Sequence, residues 1–263
     1  MLEHAVTKRI VRLLKSFAQS DDKTRWVATK ATNTLRLIDH KAKWWRFDAQ
    51  MKREHLINQA FDRRHGTDTA DETSLVLTGV PEELAARGNN LYRPLWESEF
   101  HAALAALNIR FDGFTFIDVG SGKGKLMMLA SNYPFARIIG VEYSPGLHAI
   151  AQANIARYHS PTQRCKKLEA VLSDALQYRL PDGPMVCLIF NALDPSTMRM
   201  VMKNIENEVS LRDAPAYVIY VNLRDVSEID DGLDLKKLQR LKATRKIVIL
   251  GNAAACRDTL AAP

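Results

Sequence analysis

The chain has 263 residues, of which 46% are hydrophobic and 25% are charged, with a formal net charge of +7 at pH 7. This composition is ordinary for a globular protein with a full core. Apolar runs such as Met185–Phe190 are far shorter than the roughly 20 residues that cross a bilayer. Three scattered cysteines without a C-x-x-C pair exclude a disulfide framework and a zinc site. We therefore expect a cytoplasmic protein without a signal segment or a metal site.

The N-terminal quarter holds the whole basic excess. Residues 1–65 contain 15 Lys and Arg against 7 Asp and Glu, whereas the remaining residues contain 22 against 23. The first glycine is Gly66 and the first proline is Pro81, so nothing in this quarter breaks a helix. We interpret residues 1–65 as a helical extension that caps a second domain over 66–263. The alternative is an electrostatic contact with an acidic partner, either nucleic acid or an anionic membrane surface.

Two apolar stripes at helical spacing support this interpretation. The first stripe comprises Val6, Ile10, Leu13, Leu14 and Phe17. The second, on a helix over about 23–61, comprises Leu35, Ile38, Ala42 and Trp45. The run Trp44–Phe47 could stack on bases, but adjacent helix positions point to different sides, so we expect at least one of these aromatic side chains in the core.

The rest of the chain alternates strands and helices after an irregular polar segment over 66–93. The pattern predicts helices over 97–107, 123–132, 145–158 and 195–209. It predicts strands over 114–119, 137–142, 168–172, 185–191, 215–222, 235–241 and 246–250. This alternation indicates an α/β fold, a Rossmann-like and mostly parallel seven-stranded sheet with helices on both faces, plus the N-terminal helical extension.

The most informative stretch is the end of the first of these strands. An apolar run ends at Asp118 and Val119 and continues as the loop Gly120-Ser121-Gly122-Lys123-Gly124. Alternating glycines leave the backbone bare, as at a ligand-binding turn between a parallel strand and a helix. Glu142 follows Gly122 by 20 residues, the place at which a nucleotide-binding unit puts its acceptor for ribose hydroxyls.

The glycine spacing separates the possible ligands. A dinucleotide site uses G-x-G-x-x-G, and a P-loop needs Ser or Thr after its lysine, whereas Leu126 follows Lys125 here. The form Asp-x-Gly-x-Gly-x-Gly resembles motif I of the class I S-adenosylmethionine-dependent methyltransferases. The resemblance implies S-adenosylmethionine as cofactor, with Asp118 facing its charged methionine end. This ligand has no phosphate, so the acid beside the loop is tolerable.

The ends of later strands supply further candidates, because ligands of open α/β sheets lie at the carboxyl ends of strands. In the resembled family, Asp174 and Ala175 would contact the adenine, although Asp174 could equally cap a turn. Asn191 and Asp194 lie where methyl acceptors approach, although Asp194 before Pro195 could simply cap the next helix. Tyr220 and Asn222 are weaker candidates on the same side.

Two segments before the loop extend the resemblance over roughly residues 61–222. The pattern D-x-x-x-G-x-D-T at 62–69 and the pattern N-x-Y-x-P at 90–94 are similar to those of a largely uncharacterised bacterial subgroup of these methyltransferases. The resemblance implies that these two segments cover the cofactor, with Thr69 and Tyr92 near its methionine end. A looser similarity links the chain to DOT1-like protein lysine methyltransferases. The tripeptide at 191–193 departs from the subgroup's Asn-Pro-Phe.

Three functions therefore stay open at the level of sequence. The first is methyl transfer to a protein side chain or a small molecule. Among possible bases, Asp194 and His65 are more simply structural, and His148 is expected at the surface of the helix after Glu142. The second is a nicotinamide-dependent oxidoreductase, which needs a G-x-G-x-x-G loop and a catalytic pair that the sequence lacks. The third is a non-catalytic cofactor-binding module whose basic helices hold nucleic acid or a membrane.

Overall fold

The computed structural model of the protein describes residues 22–82, 91–190, 193–222, 235–244 and 246–261. The chain divides into two compact units, Met1–Leu56 and Ile57–Pro263. The first predicted helix, over the early apolar stripe, lies outside the described residues. The second is confirmed as one long helix, α1, over Asp22–His65.

The other elements alternate as the sequence predicts. A short segment after α1 contains β1 (Thr73–Ser74), a 3₁₀ turn (Val76–Thr78) and β2 (Leu91–Tyr92). The helices that follow are α2 (Glu97–Ala105), α3 (Lys125–Ala130), α4 (Pro145–Arg157), α5 (Pro195–Val209) and α6 (Ala253–Ala261). The strands are β3 (Thr115–Val119), β4 (Arg137–Glu142), β5 (Leu168–Leu172), β6 (Met185–Phe190), β7 (Ala216–Val221), β8 (Gln239–Ala243) and β9 (Ile247–Gly251).

Seven of these strands form one sheet in the order β5-β4-β3-β6-β7-β9-β8. All neighbouring pairs from β5 to β7 are parallel, and β9 runs antiparallel to both β7 and β8. The first five strands follow the classic doubly wound order, and the last strand along the chain is inserted between the fifth and the sixth. The predicted fold class, a mostly parallel seven-stranded sheet of Rossmann type, is confirmed.

Side-chain alternation along the central strands divides the core between the two faces of the sheet. Phe116, Val186 and Leu188 pack on one face with apolar residues of α2 and α3. Ile117 and Cys187 point to the other face, where α5 covers the sheet. The central strands β3 and β6 are buried on both faces, so they consist of nearly continuous apolar runs.

Helix α1 corrects one expectation from the sequence. Ile38 and Trp45, on the predicted apolar stripe, are 57% and 71% exposed, and Trp44 and Phe47 are exposed as well. The expectation that at least one of these aromatic side chains lies in the core is therefore wrong. The buried positions of this part of the helix, such as Thr32 and Glu54, are polar, so hydrophobicity did not mark them.

The last two strands and the final helix also differ from the predicted pattern. Strands β8 and β9 begin and end later along the chain than predicted, and α6 was not predicted. Among the described residues, no helix is long and apolar enough to cross a membrane. The same residues contain no group of three or more His, Cys, Asp or Glu side chains that could hold a metal ion.

Candidate functional site

The candidate site lies where the strand order reverses. From β3 the chain proceeds outward to β4 and β5, then returns to β6 on the other side of β3. Because the helices after β3 and β6 leave in opposite directions, a crevice opens at the carboxyl ends of these strands. Asp118 lies at this end of β3, beside Gly140 on β4 and Leu188 on β6.

The glycine loop is tightly folded between β3 and α3. Gly120, Gly122 and Gly124 have φ angles of 77°, 54° and 79°, in the region that other residues rarely adopt. The backbone N–H groups of Gly120 and Ser121 donate to the Val141 carbonyl at 2.8 and 3.0 Å. These hydrogen bonds anchor the loop to the end of β4. The positive φ angles favour glycine at alternate positions of the loop.

Gly140 lets the loop pack this closely against the sheet. A Cβ atom at Gly140 would lie 2.2 Å from the Met127 sulfur and 2.8 Å from the Ser121 Cβ. No side chain fits between β4 and the start of α3. The sequence contained Gly140 next to Val141 and Glu142, but its role depends on a contact between elements that no local pattern shows.

Asp118 is a buried carboxylate without a full set of partners. It is 2% exposed, and its Oδ2 atom has no hydrogen-bond partner among the described residues. Burial, and then the nearby charge of Glu142, raise the pKa of Asp118 to about 8. An unpaired buried acid is costly for stability, so its place at the crevice indicates a ligand that supplies the missing partner.

Glu142 holds the glycine loop from the end of β4. Its Oε2 accepts a hydrogen bond from the Gly122 N–H at 2.8 Å, and its Oε1 accepts one from the Ser144 N–H at 2.9 Å. Burial raises the pKa of Glu142, and these backbone hydrogen bonds oppose the rise. A carboxylate has about four acceptor positions, so acceptor capacity remains for a hydroxyl group of a ligand.

Tyr92 covers the glycine loop. The position of a Cβ atom at Gly122 would be only 2.4 Å from two atoms of the Tyr92 ring. The Tyr92 hydroxyl donates to the Thr69 carbonyl at 3.0 Å, and the Lys123 ammonium lies 5.4 Å from the ring centroid. The structure thus brings together Thr69, Tyr92 and the loop, three parts that are distant in sequence.

Asp62 organises the segment that contains Thr69. Its carboxylate accepts four hydrogen bonds of 2.7 to 2.8 Å, from the Thr67 and Thr69 hydroxyls and the Thr69 and Ala70 backbone N–H groups. Thr69 is fully buried. Asp62, the first residue of the pattern at 62–69, therefore stabilises the turn, and the Thr69 hydroxyl is one of the donors within it.

The same segment is fastened to the loop and to α4. Lys123 is 3% exposed, and its Nζ donates to Asp68 Oδ1 at 2.7 Å. Asn154 Oδ1 accepts from the Asp68 N–H at 2.8 Å, while its Nδ2 donates to the carbonyls of Asp68 and Lys123. Asn154, on a helix far along the chain, carried no sequence signal for this role.

Asp62→Ala is expected to loosen the turn without touching the glycine loop. Loss of an acceptor for four donors should lower the free energy of unfolding by about 3 kcal/mol. Asp71→Ala, which removes an exposed aspartate of the same segment, is the matched control and should change it by less than about 0.5 kcal/mol. Urea denaturation measures both, and equal effects of the two substitutions would contradict the assigned role.

Asp174 and Ala175 follow β5 at the same end of the sheet. Asp174 is exposed, and its Oδ1 accepts from the Leu176 N–H at 2.8 Å in a turn. Ala175 is half-buried and, with Val119 and Val141, lines a small cavity of about 10 Å³ beside α5. Local geometry thus explains Asp174 as a turn residue, and its contact with adenine stays a prediction.

Of the two candidates after β6, Asn191 lies outside the described residues, and Asp194 is the N-cap of α5. Asp194 Oδ1 accepts from the backbone N–H groups of Ser196 and Thr197 at 2.9 and 3.1 Å. Partial burial raises the pKa of Asp194, but these hydrogen bonds and those of both hydroxyls outweigh it and hold the pKa at about 2. Such a group accepts a proton poorly at neutral pH, so an orienting role suits it better than that of a base.

The weaker candidates have structural explanations as well. Tyr220 and Asn222 are both buried at the end of β7, and the Asn222 side-chain amide approaches the Tyr220 hydroxyl at 3.5 Å. His65 packs on the Tyr158 ring and its Nδ1 contacts the His159 carbonyl at 2.9 Å. His148 is half-buried in α4, where a surface position was predicted.

No protein-family model and no curated protein matches the sequence. Solved structures of methyltransferases are similar to part of the chain. The N-methyltransferase NodS from Bradyrhizobium japonicum WM9, in complex with S-adenosyl-L-homocysteine, is 10% identical with a TM-score of 0.47, over 68% of this chain and 96% of NodS. An RNA methyltransferase from Salinibacter ruber, in complex with the same product, is 15% identical with a TM-score of 0.43, over 60% and 92%.

A third similar structure is the magnesium protoporphyrin IX methyltransferase ChlM from Synechocystis PCC 6803 with bound S-adenosylmethionine. It is 13% identical with a TM-score of 0.40, over 59% of this chain and 77% of ChlM. All three are named as methyltransferases, and two of the names state an acceptor, RNA in one and magnesium protoporphyrin IX in the other. Because the identities are low, the function has to be argued from the site of this chain.

Proposed function

We propose that this chain is an S-adenosylmethionine-dependent methyltransferase with an unidentified acceptor, a protein side chain or a small molecule. The observation that supports it best is the glycine loop at the strand-order reversal, lying beside the unpartnered Oδ2 of Asp118. Ser121 Oγ, also buried without a hydrogen-bond partner among the described residues, adds a second polar atom at the loop. Both atoms fit a ligand that offers donors to a carboxylate and a hydroxyl.

The two lysines of the loop argue against a phosphate ligand. Lys123 is paired with Asp68, and Lys125, 2% exposed, donates to Asn58 Oδ1. A pyrophosphate would therefore find the buried acid Asp118 but neither lysine ammonium turned toward it. The paired lysines disfavour a nucleoside triphosphate, which uses a loop lysine, and the buried acid disfavours the pyrophosphate of NAD. A cationic cofactor without phosphate fits the site.

The proposed roles follow from the geometry and the resemblance. Asp118 accepts from the ammonium of the cofactor's methionine end, and the remaining acceptor positions of Glu142 take its ribose hydroxyls. Thr69 and Tyr92 cover the methionine end, and Asp174 with Ala175 contacts the adenine. Gly120, Ser121, Gly122 and Gly124 form the backbone cradle.

The cofactor, when bound, supplies a methyl group on a sulfonium that is already a good leaving group. The chain then has to position the acceptor in line with that methyl group, about 3 Å away. Asn191 and Asp194, after β6, are the residues that we assign to orienting the acceptor. The proposed cap over 1–65 and cofactor domain over 66–263 belong to the same hypothesis.

Isothermal titration calorimetry tests the cofactor directly. We expect S-adenosylmethionine and S-adenosylhomocysteine to bind with micromolar dissociation constants and NAD not to bind. Absence of binding by both sulfur compounds would overturn the proposal, and binding of NAD alone would favour the oxidoreductase. Binding of S-adenosylmethionine without methyl transfer to any protein, nucleic acid or small-molecule extract would favour a non-catalytic module.

A further inference from the structure

Helix α1 has an exposed apolar face that no core explains. Within Asp22–Leu56, five large apolar side chains are more than half exposed: Leu37, Ile38, Trp44, Trp45 and Leu56. Single exposed apolar residues are normal on a protein surface, but a continuous group of them marks an interaction surface. We call these five residues, with Lys41 and Lys52 between them, the outward face of α1.

The five side chains share one side of the helix. At about 100° per residue, all of them fall within a sector of roughly 120°, and with 1.5 Å rise per residue the face is about 28 Å long. Lys41, Asp48 and Lys52 lie in the middle of this sector, whereas Thr32 and Glu54, both buried, lie on the opposite side. The face therefore consists of a cluster of Leu37, Ile38, Trp44 and Trp45 around Lys41, with Leu56 farther along the helix beyond the Asp48–Lys52 pair.

The charges near the face are mostly basic. Between residues 41 and 56, Lys41, Arg46, Lys52 and Arg53 are exposed. Asp48, half-buried and paired with Lys52 at 2.9 Å, and the buried Glu54 are the acids among the same described side chains. Lys41 and the Lys52–Asp48 pair thus lie within the face, and Arg46 and Arg53 lie roughly 60–80° outside its edge, on the flank of the helix.

We propose that the outward face of α1 binds the surface of an anionic lipid bilayer, with the helix lying in the plane of the interface. Tryptophan rings suit the headgroup level, aliphatic side chains enter the acyl boundary, and lysines reach the anionic headgroups. Single-stranded nucleic acid explains the tryptophans and lysines but leaves Leu37, Ile38 and Leu56 exposed. A second copy of the helix would bury Lys41 within the apolar contact, at the cost of its desolvation.

Co-sedimentation of the full chain with vesicles tests this proposal. We expect binding to phosphatidylcholine vesicles that contain about 30% phosphatidylserine, and at least about tenfold weaker binding to pure phosphatidylcholine or at high salt. The double substitution Trp44→Gln/Trp45→Gln should weaken binding by about tenfold or more, because two ring systems no longer enter the interface.

Two controls separate this face from the rest of the surface. Leu211→Gln removes an apolar side chain that is 86% exposed elsewhere, and we expect unchanged vesicle binding. Lys41→Gln should weaken binding about fivefold, and Arg110→Gln, which removes an exposed cation far along the sequence, should not. Circular dichroism checks that each variant keeps its helix content.

Three outcomes would overturn the proposal. They are no binding to anionic vesicles, vesicle binding that the double tryptophan substitution leaves unchanged, and a concentration-dependent dimer in sedimentation equilibrium that this substitution dissolves. Binding of an oligothymidine that requires Trp44 and Trp45, without vesicle binding, would assign the face to nucleic acid instead.

Discussion

Gly122→Ala is expected to raise the dissociation constant for S-adenosylmethionine on the order of a hundredfold, the factor that about 3 kcal/mol of loop distortion produces. The new Cβ would lie 2.4 Å from two atoms of the Tyr92 ring, far inside van der Waals contact. The φ angle of +54° at Gly122 adds about 1–2 kcal/mol of strain for a residue with a Cβ. Either the ring or the loop must move, and both belong to the proposed cofactor site.

Gly113→Ala is the matched control for this substitution. Gly113 has a φ angle of +83°, but no heavy atom lies within 4 Å of its added Cβ. Its alanine variant should therefore show only the backbone strain in thermal unfolding and bind the cofactor normally. Calorimetry of both variants isolates the contact with Tyr92, and equal loss of affinity in the two would show that this contact is unimportant.

A double-mutant cycle attributes the effect to the ring. In a Tyr92→Ala background the clash is absent, so Gly122→Ala should cost less stability there than in the original chain. The difference between the two costs is the coupling between residues 92 and 122. Simple additivity would mean that the loop distorts for a reason other than Tyr92.

Asp118→Asn is expected to stabilise the free protein at alkaline pH while weakening cofactor binding by about tenfold or more. Burial, then Glu142, raise the pKa of Asp118 from 3.8 to about 8. Between these two values the folded state holds a proton that the unfolded chain has released. The free energy of unfolding therefore falls as pH rises through this window, with a slope of up to about 1.4 kcal/mol per pH unit.

An asparagine at position 118 has no titrating proton, so the contribution of this position to the slope of the free energy of unfolding against pH disappears. Urea denaturation between pH 5 and 8 should show a flatter pH dependence for the variant, with its relative stability growing toward pH 8. Parallel curves for the two proteins would mean that Asp118 ionises normally in the folded state.

The affinity for the cofactor should also depend on the ionisation of Asp118, but it should rise with pH where the free energy of unfolding falls. If the ligand's ammonium requires ionised Asp118, binding releases a proton near pH 7, and affinity rises toward pH 8. Calorimetry in phosphate and in Tris, whose ionisation enthalpies differ, measures that proton. The ligand's own α-amino group titrates near pH 8, so Asp118→Asn in the same buffers is the necessary control. Equal affinity and equal proton release in both proteins would remove Asp118 from the site.

The sequence predicted the sheet and the loop well because both depend on local patterns. The buried strands β3 and β6 are continuous apolar runs, and the glycines of the loop need positive φ angles wherever the strand turns sharply into a helix. Because β3 and β4 are parallel neighbours, Asp118 and Glu142 then lie together at the carboxyl ends of these strands, where the strand order reverses.

What the sequence did not predict depends on contacts between distant segments. Asp62 was conspicuous in its pattern, but its four hydrogen bonds within one turn could not be deduced from spacing. Asn154 and Gly140 have roles set by what packs against them. For α1, Ile38 and Trp45 of the predicted apolar stripe point outward, because apolar residues on an exposed helix face have the same periodicity as those of a core.

The insertion of β9 between β7 and β8 has a consequence for how the protein is synthesised. Strand β8 has no partner until β9 exists, since its ladder in the sheet is with β9. The edge of β7 likewise stays open until residues 247–251 have left the ribosome. Two of the seven strands therefore join the sheet only after β9 has been made, and a nascent chain stalled before Ile247 would present the open edge of the hydrophobic strand β7 to its neighbours.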